Sequence, residues 1–366
     1  MTAPPPNPWI LEIDAYVPGR TEQPGVETVA KLSSNESNLG ASPAAIAAAE
    51  AAAAAPHRYP QSDSRDLRRA IGEAQGLDPE RIICGTGSDE ILTLIGRAYA
   101  KPGDAVIYSR NTFAMYEIIA HAVGAEAVEV PDKELIADVD GILAAVTPKT
   151  RIVYLANPNN PTGTYLPARE IERLAAGLGD AVILVLDAAY AECVDAPDYE
   201  PGLALCDARD NVVMTRTFSK LYGLAGLRVG WGYLPRAMAD AVNRVRNPFN
   251  VSAPALAAAA AAVKDLAHLA EVRAHTLHWR NWLAAEARAL GLEPVPSQTN
   301  FILLRFPDTE TKSAAACDRY LAGRGYFVRR FADEDLRNYL RISVGTEDEN
   351  RGVMALVGEF LDGPPA

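Results

Sequence analysis

Lys220 closes the run Thr215-Arg216-Thr217-Phe218-Ser219-Lys220, directly after the apolar segment Val212-Val213-Met214. Two similar arrangements lie upstream. Val182-Ile183-Leu184-Val185-Leu186 ends in Asp187-Ala188-Ala189-Tyr190, and Arg151-Ile152-Val153-Tyr154-Leu155 runs into Asn157-Pro158-Asn159-Asn160-Pro161-Thr162-Gly163. Three strand-like segments thus each end in polar groups: an amide, a carboxylate with a phenol, and hydroxyls with an amine. A lysine amine can form an imine with an aldehyde cofactor and later act as a base. At its ordinary pKa of about 10.4 it is a poor nucleophile at pH 7. Partial burial and neighbouring cations such as Arg228 are expected to lower it. Asp187 ends a segment that reads as wholly buried, where an unpaired carboxylate costs several kcal/mol. A pyridinium nitrogen suits it. At contact distance and an effective dielectric of about 20 the attraction is roughly 4 kcal/mol, enough to keep a ring nitrogen protonated. Taken singly, Lys220 also reads as a surface lysine and Asp187 as a helix cap.

A second cluster suits an anion. Gly85-Thr86-Gly87-Ser88-Asp89 follows the strand-like residues 81–84 and opens a helix over 90–99. Amides at a helix N-terminus, approached through glycines, form an anion cradle. The alternative is a tight turn capped by Ser88. Glu90 stands where a dinucleotide fingerprint needs its third glycine, and no GxxxxGK[ST] loop occurs. The hydroxyls of Thr217 and Ser219 and the guanidinium of Arg228 could grip the same anion. Asn160 and Tyr190 could donate to a ring oxygen, and Phe113 could lie on a heteroaromatic ring or simply fill a core.

The elements around these residues alternate. Apolar, strand-like stretches at 81–84, 105–108, 127–130, 151–155, 182–186, 212–215 and 228–232 are interleaved with helix-like ones at 90–99, 116–123 and 167–178. Short, nearly continuous apolar runs belong to strands covered on both faces, and this alternation predicts an α/β fold with a mostly parallel sheet. Helices are also predicted over 43–55 and 64–74, the second capped by Asp63 or Ser64. Residues 243–290 read as largely helical, a long connector. Strands at 301–305, 326–331 and 339–344 predict a smaller C-terminal domain. The expected division is 1–40 (arm and part of the small domain), 41–245 (large domain) and 246–366 (connector helix and small domain).

The chain has 366 residues and a net charge of −12, with 49% hydrophobic residues. Mean hydropathy is −0.04. This indicates a globular protein of one large and one smaller core. The acidic balance argues against nucleic acid, so any anionic ligand must be held by local donors. No apolar run is long enough to span a membrane. No secretory leader is visible at the start. Cys84, Cys193, Cys206 and Cys317 lie far apart, which suits a reducing compartment and argues against a zinc site. A cytoplasmic location and no bound metal are expected.

Together, Asn157 to Gly163, Asp187-Ala188-Ala189-Tyr190 and Thr217-Phe218-Ser219-Lys220 with Arg228 resemble the fold-type I pyridoxal-phosphate aminotransferases in order and spacing. Within them the chain is similar to the histidinol-phosphate aminotransferase family over nearly its whole length. The closer marks are Tyr16-Val17-Pro18-Gly19, Leu32-Ser33-Ser34-Asn35-Glu36, His57-Arg58-Tyr59-Pro60, Gly87-Ser88-Asp89-Glu90, Thr299-Asn300-Phe301 and Leu340-Arg341-Ile342-Ser343-Val344-Gly345. The resemblance implies a large domain with a mostly parallel seven-stranded sheet and a smaller α+β domain. It implies pyridoxal 5'-phosphate bound covalently to Lys220. Asp187 would pair with the ring nitrogen, Asn160 and Tyr190 would contact the ring oxygen, and Phe113 would stack. Ser88, Asp89, Thr217, Ser219 and Arg228 would hold the phosphate. Tyr59 would reach it from the partner of a homodimer. Arg341 and Arg329, with Tyr16 and Asn35, would bind substrate. The implied reaction passes the amino group of L-histidinol phosphate to 2-oxoglutarate by a ping-pong route. An aromatic amino acid aminotransferase and a phosphothreonine-type decarboxylase are the alternatives on the same scaffold. Two departures stand out: Phe113 replaces a common tyrosine, and Asn35-Glu36-Ser37-Asn38-Leu39-Gly40 lacks the family's proline.

Overall fold

The computed structural model describes residues 4–15 and 18–363. A two-residue strand, β1 (Ala30–Lys31), comes first. Seven strands follow: β2 (Ile82–Gly85), β3 (Ala105–Ser109), β4 (Glu126–Val130), β5 (Thr150–Ala156), β6 (Ile183–Asp187), β7 (Val212–Thr217) and β8 (Gly230–Tyr233). They form one sheet in the order β2-β8-β7-β6-β5-β3-β4. β8 runs antiparallel to both of its neighbours, and every other pair is parallel. The expected mostly parallel seven-stranded sheet is therefore present.

Side-chain alternation assigns the two faces. Leu184, Leu186, Val212 and Met214 join a core on one side of the sheet. Ile183, Val185, Val213 and Tyr154 join a second core on the other. Because strand side chains alternate, Asp187, Thr215 and Thr217 project toward the second side and Arg216 toward the first. Arg216 is buried there in an ion pair with Glu192 at 2.6 Å.

Four strands build a smaller antiparallel sheet, β12-β13-β10-β9. They are β9 (Glu293–Val295), β10 (Phe301–Arg305), β12 (Arg329–Arg330) and β13 (Tyr339–Ser343), while β11 (Tyr326–Phe327) pairs in parallel with β1. Helices Leu266–Ala289, Ala314–Ala322 and Glu347–Asp362 cover it around Leu283, Leu304, Leu321 and Val357. Ala30 and Leu32 belong to this core as well.

Residues 243–290 are largely helical, as expected, in three pieces. Helix Arg236–Val245 ends, Ala253–Ala262 follows, and the 24-residue helix Leu266–Ala289 comes last. Pro248 and Pro254 break the run, since proline removes a donor and restricts the preceding residue. Ser252 and Asp265 then cap the two later helices, accepting from Ala255 N and His268 N. Ser64 does not cap its helix with its side chain. Asp63 accepts from Arg65 N instead. Among the described residues no helix is long and apolar enough to cross a membrane.

Candidate active site

The carboxyl ends of parallel strands are where open α/β sheets bind ligands. Here the register sets Ala156, Asp187 and Thr215 side by side. Beyond them lies a cavity of about 360 Å³ lined by Ser88, Asp89, Phe113, Asn160, Asp187, Tyr190, Thr217, Ser219, Lys220 and Arg228. A second cavity, of about 600 Å³, shares Phe113, Asn160, Tyr190 and Lys220 with it and adds Asn35, Arg329 and Arg341. Thus the expected site residues converge, with two exceptions. Tyr59 is 82% exposed, lines neither cavity, and stacks on Phe249 at 4.5 Å. Tyr16 lies outside the described residues.

One end of the smaller cavity suits an anion. Gly87, with φ of 93°, occupies the cap position, so Ser88 is the first helical residue and not the cap. A Cβ on Gly230 would come within 2.4 Å of the Ser88 nitrogen, so only glycine lets β8 lie this close to the loop. Ser219 N donates to Thr217 Oγ1 at 3.1 Å, and Thr217 Oγ1 donates to Ser219 Oγ at 2.9 Å. Arg228 was expected at the start of a strand. It follows a 3-10 turn, has φ of 53°, and precedes β8. That left-handed turn directs its Nη1 to Ser219 Oγ at 3.5 Å and its Nη2 to Asp89 Oδ1 at 3.2 Å. The pair is half exposed, so its attraction is weak. Glu90, the residue that breaks the dinucleotide fingerprint, braces the loop by accepting from Thr86 N at 2.6 Å and Asn250 Nδ2 at 2.8 Å.

The same cavity holds an acid. Asp187 is 5% exposed. Its Oδ2 accepts from Tyr116 Oη at 2.9 Å and its Oδ1 from Thr215 Oγ1 at 3.1 Å. Burial pushes its pKa above the ordinary carboxylate value, against the lowering effect of these two hydroxyls. Both donors are neutral, so neither cancels the charge that the carboxylate carries when it is ionised.

Lys220 lines this cavity, half-buried, its Nζ 5.5 Å from the centre of the Tyr190 ring. Burial is the main cause that brings its pKa down to about 8, and Arg341 adds to it more than Arg228 does. The sequence pointed to Arg228; β13 supplies the stronger cation. Burial pushes Tyr190 up to about 12. Its hydroxyl accepts from Asn35 Nδ2 at 2.9 Å. Asn35 is fixed in turn by Ser343 Oγ, which takes its backbone N–H at 2.9 Å, and by Asn300, which donates to its carbonyl at 3.0 Å. Asn35 therefore orients Tyr190 as well as lining the larger cavity.

Arg341 Nη1 donates to Asn160 Oδ1, and Nη2 donates to the Ser33 carbonyl at 2.7 Å. With Oδ1 engaged, the amide of Asn160 keeps Nδ2 as its donor. Arg329 sits opposite Arg341 in the β12–β13 ladder and lines the larger cavity. Arg330, one residue on, turns toward Asp318, 4.0 Å away. The alternation of the strand thus turns these two neighbouring arginines in different directions. Tyr116 and Thr215 were not expected here. Thr215 shares its parity with Thr217, a weak signal that was legible. Tyr116 carries no local signal.

The fold and this lysine-centred cavity define a class that comparison with known proteins specifies. The class I and II aminotransferase family matches residues 27–356, and the chain belongs to that family. It is similar to the histidinol-phosphate aminotransferase of Paramagnetospirillum magneticum, 52% identical over 361 residues and 99% of each chain. The enzyme of that name from Dinoroseobacter shibae is 53% identical, over 98% of this chain and 99% of the relative. Among solved structures, histidinol-phosphate aminotransferase from Sinorhizobium meliloti, in complex with pyridoxal 5'-phosphate, superposes with a TM-score of 0.86 at 33% identity, covering 92% of both chains. An aspartate aminotransferase from Thermus thermophilus, 24% identical over 92% of both chains with a TM-score of 0.81, shares the fold.

Proposed function

We propose that the chain is a pyridoxal 5'-phosphate-dependent transaminase that converts L-histidinol phosphate and 2-oxoglutarate into imidazole-acetol phosphate and L-glutamate, a step of histidine biosynthesis. One observation carries the reaction type: a half-buried lysine, brought down to about 8, lines a cavity that also holds an anion cradle and a buried carboxylate. The substrate rests on relatives about half identical over nearly the full chain, which bear that name.

The donor set fits the cofactor. The hydroxyls of Thr217 and Ser219, the helix-start amides of Ser88 and Asp89, and Arg228 suit a phosphate. Asp187, held by two uncharged hydroxyls, has its charge available for a cationic ring nitrogen. When bound, pyridoxal phosphate supplies an aldehyde for the substrate amine and an electron-accepting ring. Lys220 Nζ would hold it and would move the proton at the substrate Cα; with a pKa near 8 this amine is balanced between base and acid. Asn160 Nδ2 and Tyr190 Oη serve the ring oxygen, and Phe113 covers the ring. Arg341, braced by Asn160 and Ser33, presents its guanidinium to the anionic end of either substrate, phosphate or carboxylate. Arg329 reinforces that end.

The exposed Tyr59–Phe249 stack supports a homodimer in which Tyr59 reaches the partner's phosphate site. No membrane and no nucleic acid enter this reading, and the cytoplasm suits it. The test is kcat/KM for histidinol phosphate against phenylalanine and tyrosine, each with 2-oxoglutarate. Histidinol phosphate is expected to dominate; preference for the free aromatic amino acids would overturn the substrate assignment.

A further inference from the structure

Tyr116 does not line either cavity, yet its hydroxyl meets the buried acid. It lies in the first turn of helix Met115–Ala122 and is 0% exposed. Its ring is fixed on two sides. Tyr154 stacks on it at 5.1 Å with the planes 4° apart, and Phe113 meets it edge-on at 5.9 Å. Tyr154 is itself tied down, its hydroxyl donating to the Leu92 carbonyl at 2.8 Å. A phenol held this way has little rotamer freedom left to lose when it hydrogen-bonds. Its Oη lies 2.9 Å from Asp187 Oδ2, while Thr215 holds Oδ1 at 3.1 Å. Phe113 lines the cavity, so this aromatic cluster runs from the reacting space to the back of the acid.

The type of donor matters. A lysine or arginine at position 116 would cancel the charge of Asp187 and leave little attraction for a cation in the cavity. A phenol gives a hydrogen bond and no charge. It favours the ionised carboxylate over the acid without neutralising it, opposing the effect of burial. Two donors on two oxygens also fix the plane of the carboxylate, and with it the direction of the remaining lone pairs.

We infer that Tyr116 is a positioning residue whose hydroxyl keeps Asp187 ionised and aimed at a cationic ring nitrogen. This rests on the reading of Asp187 as the partner of the pyridoxal phosphate nitrogen. The test compares dissociation constants from the apoprotein for pyridoxal phosphate and for its 1-deaza analogue, in which C–H replaces the ring nitrogen. Wild type is expected to prefer pyridoxal phosphate. Loss of one hydrogen bond to a charged group corresponds to roughly a tenfold to hundredfold change in an equilibrium. Tyr116→Phe should therefore weaken pyridoxal phosphate by about that factor and leave the analogue unchanged or tighter. Equal weakening of both ligands would mean that Tyr116 only shapes the cavity, and would overturn the inference. So would no weakening of either. A wild type that binds both ligands alike would remove the Asp187 reading and this one with it. If Tyr116→Phe fails to fold, 3-fluorotyrosine at position 116 keeps the shape and strengthens the donor. The preference for pyridoxal phosphate should then widen; an unchanged preference overturns the inference.

Discussion

Replacing Lys220 by methionine should abolish turnover and at the same time stabilise the apoprotein. The wild-type amine is brought from 10.5 to about 8, chiefly by burial and then by Arg341. That fall of about 2.5 pH units, at about 1.36 kcal/mol each, amounts to roughly 3 kcal/mol. Solvent reaches the half-buried amine, so about 1–3 kcal/mol is the working range. The sign follows from proton counting. Between pH 8 and 10.5 the unfolded chain holds the Lys220 proton more tightly than the folded one, so wild-type stability gains with pH across that window. Below pH 8 the charged lysine costs the fold its full penalty; above 10.5 the penalty is gone. Methionine has similar length and no charge, and it carries no such dependence. At pH 7 the variant apoprotein should be the more stable by about 1–3 kcal/mol. With an unfolding entropy of about 2.1 cal/mol/K per residue, that is a rise of roughly 1–4 °C in Tm for a chain of this size. Urea or thermal unfolding of both apoproteins, at equal protomer concentration and at pH 7, 9 and 10.5, measures it. A variant no more stable than wild type at pH 7, or a gap that stays constant up to pH 10.5, would refute the reasoning.

Two further outcomes are expected. Arg341→Lys cannot keep both the Asn160 and Ser33 contacts and present a planar fork, so KM should rise about tenfold to hundredfold for both the phosphate-bearing donor and the dicarboxylate acceptor. Unchanged KM values in steady-state kinetics would remove Arg341 from substrate binding. If Tyr59 serves the partner's site, mixing inactive Lys220→Ala with weakly active Tyr59→Ala protomers should regenerate one intact site in each mixed dimer. Refolded mixtures should then exceed the summed activities of the separate variants, and a merely additive result would place Tyr59 in its own subunit's site or in none.

Much of the site was legible because it is made of strand ends. Apolar runs such as residues 182–186 are buried on both faces, so the first polar residue after each run marks where the sheet stops and a ligand can sit. Asp187 is such a residue, Asn160, Thr217 and Lys220 lie in the polar stretches that follow the other two runs, and glycines 85 and 87 mark the loop before the helix. The start of helix Glu347–Asp362 is also written locally, in the capping box that Thr346 and Glu349 form. Pro248 and Pro254 likewise mark where the largely helical stretch 243–290 divides.

The remainder was not in the local pattern. Tyr116 meets Asp187 across 71 residues, Asn35 meets Tyr190 across 155, and Arg341 meets Asn160 across 181. Arg329 and Arg330 are interchangeable as letters until pairing with β13 turns one toward the cavity and the other toward Asp318. The sequence by itself determined which segments become strands and which chemical groups stand at their ends, because period and turn chemistry are properties of neighbouring residues. Only the tertiary structure decided which donor braces which acceptor and which cation acts on Lys220. Those pairings depend on sheet register and on helices packed from distant parts of the chain.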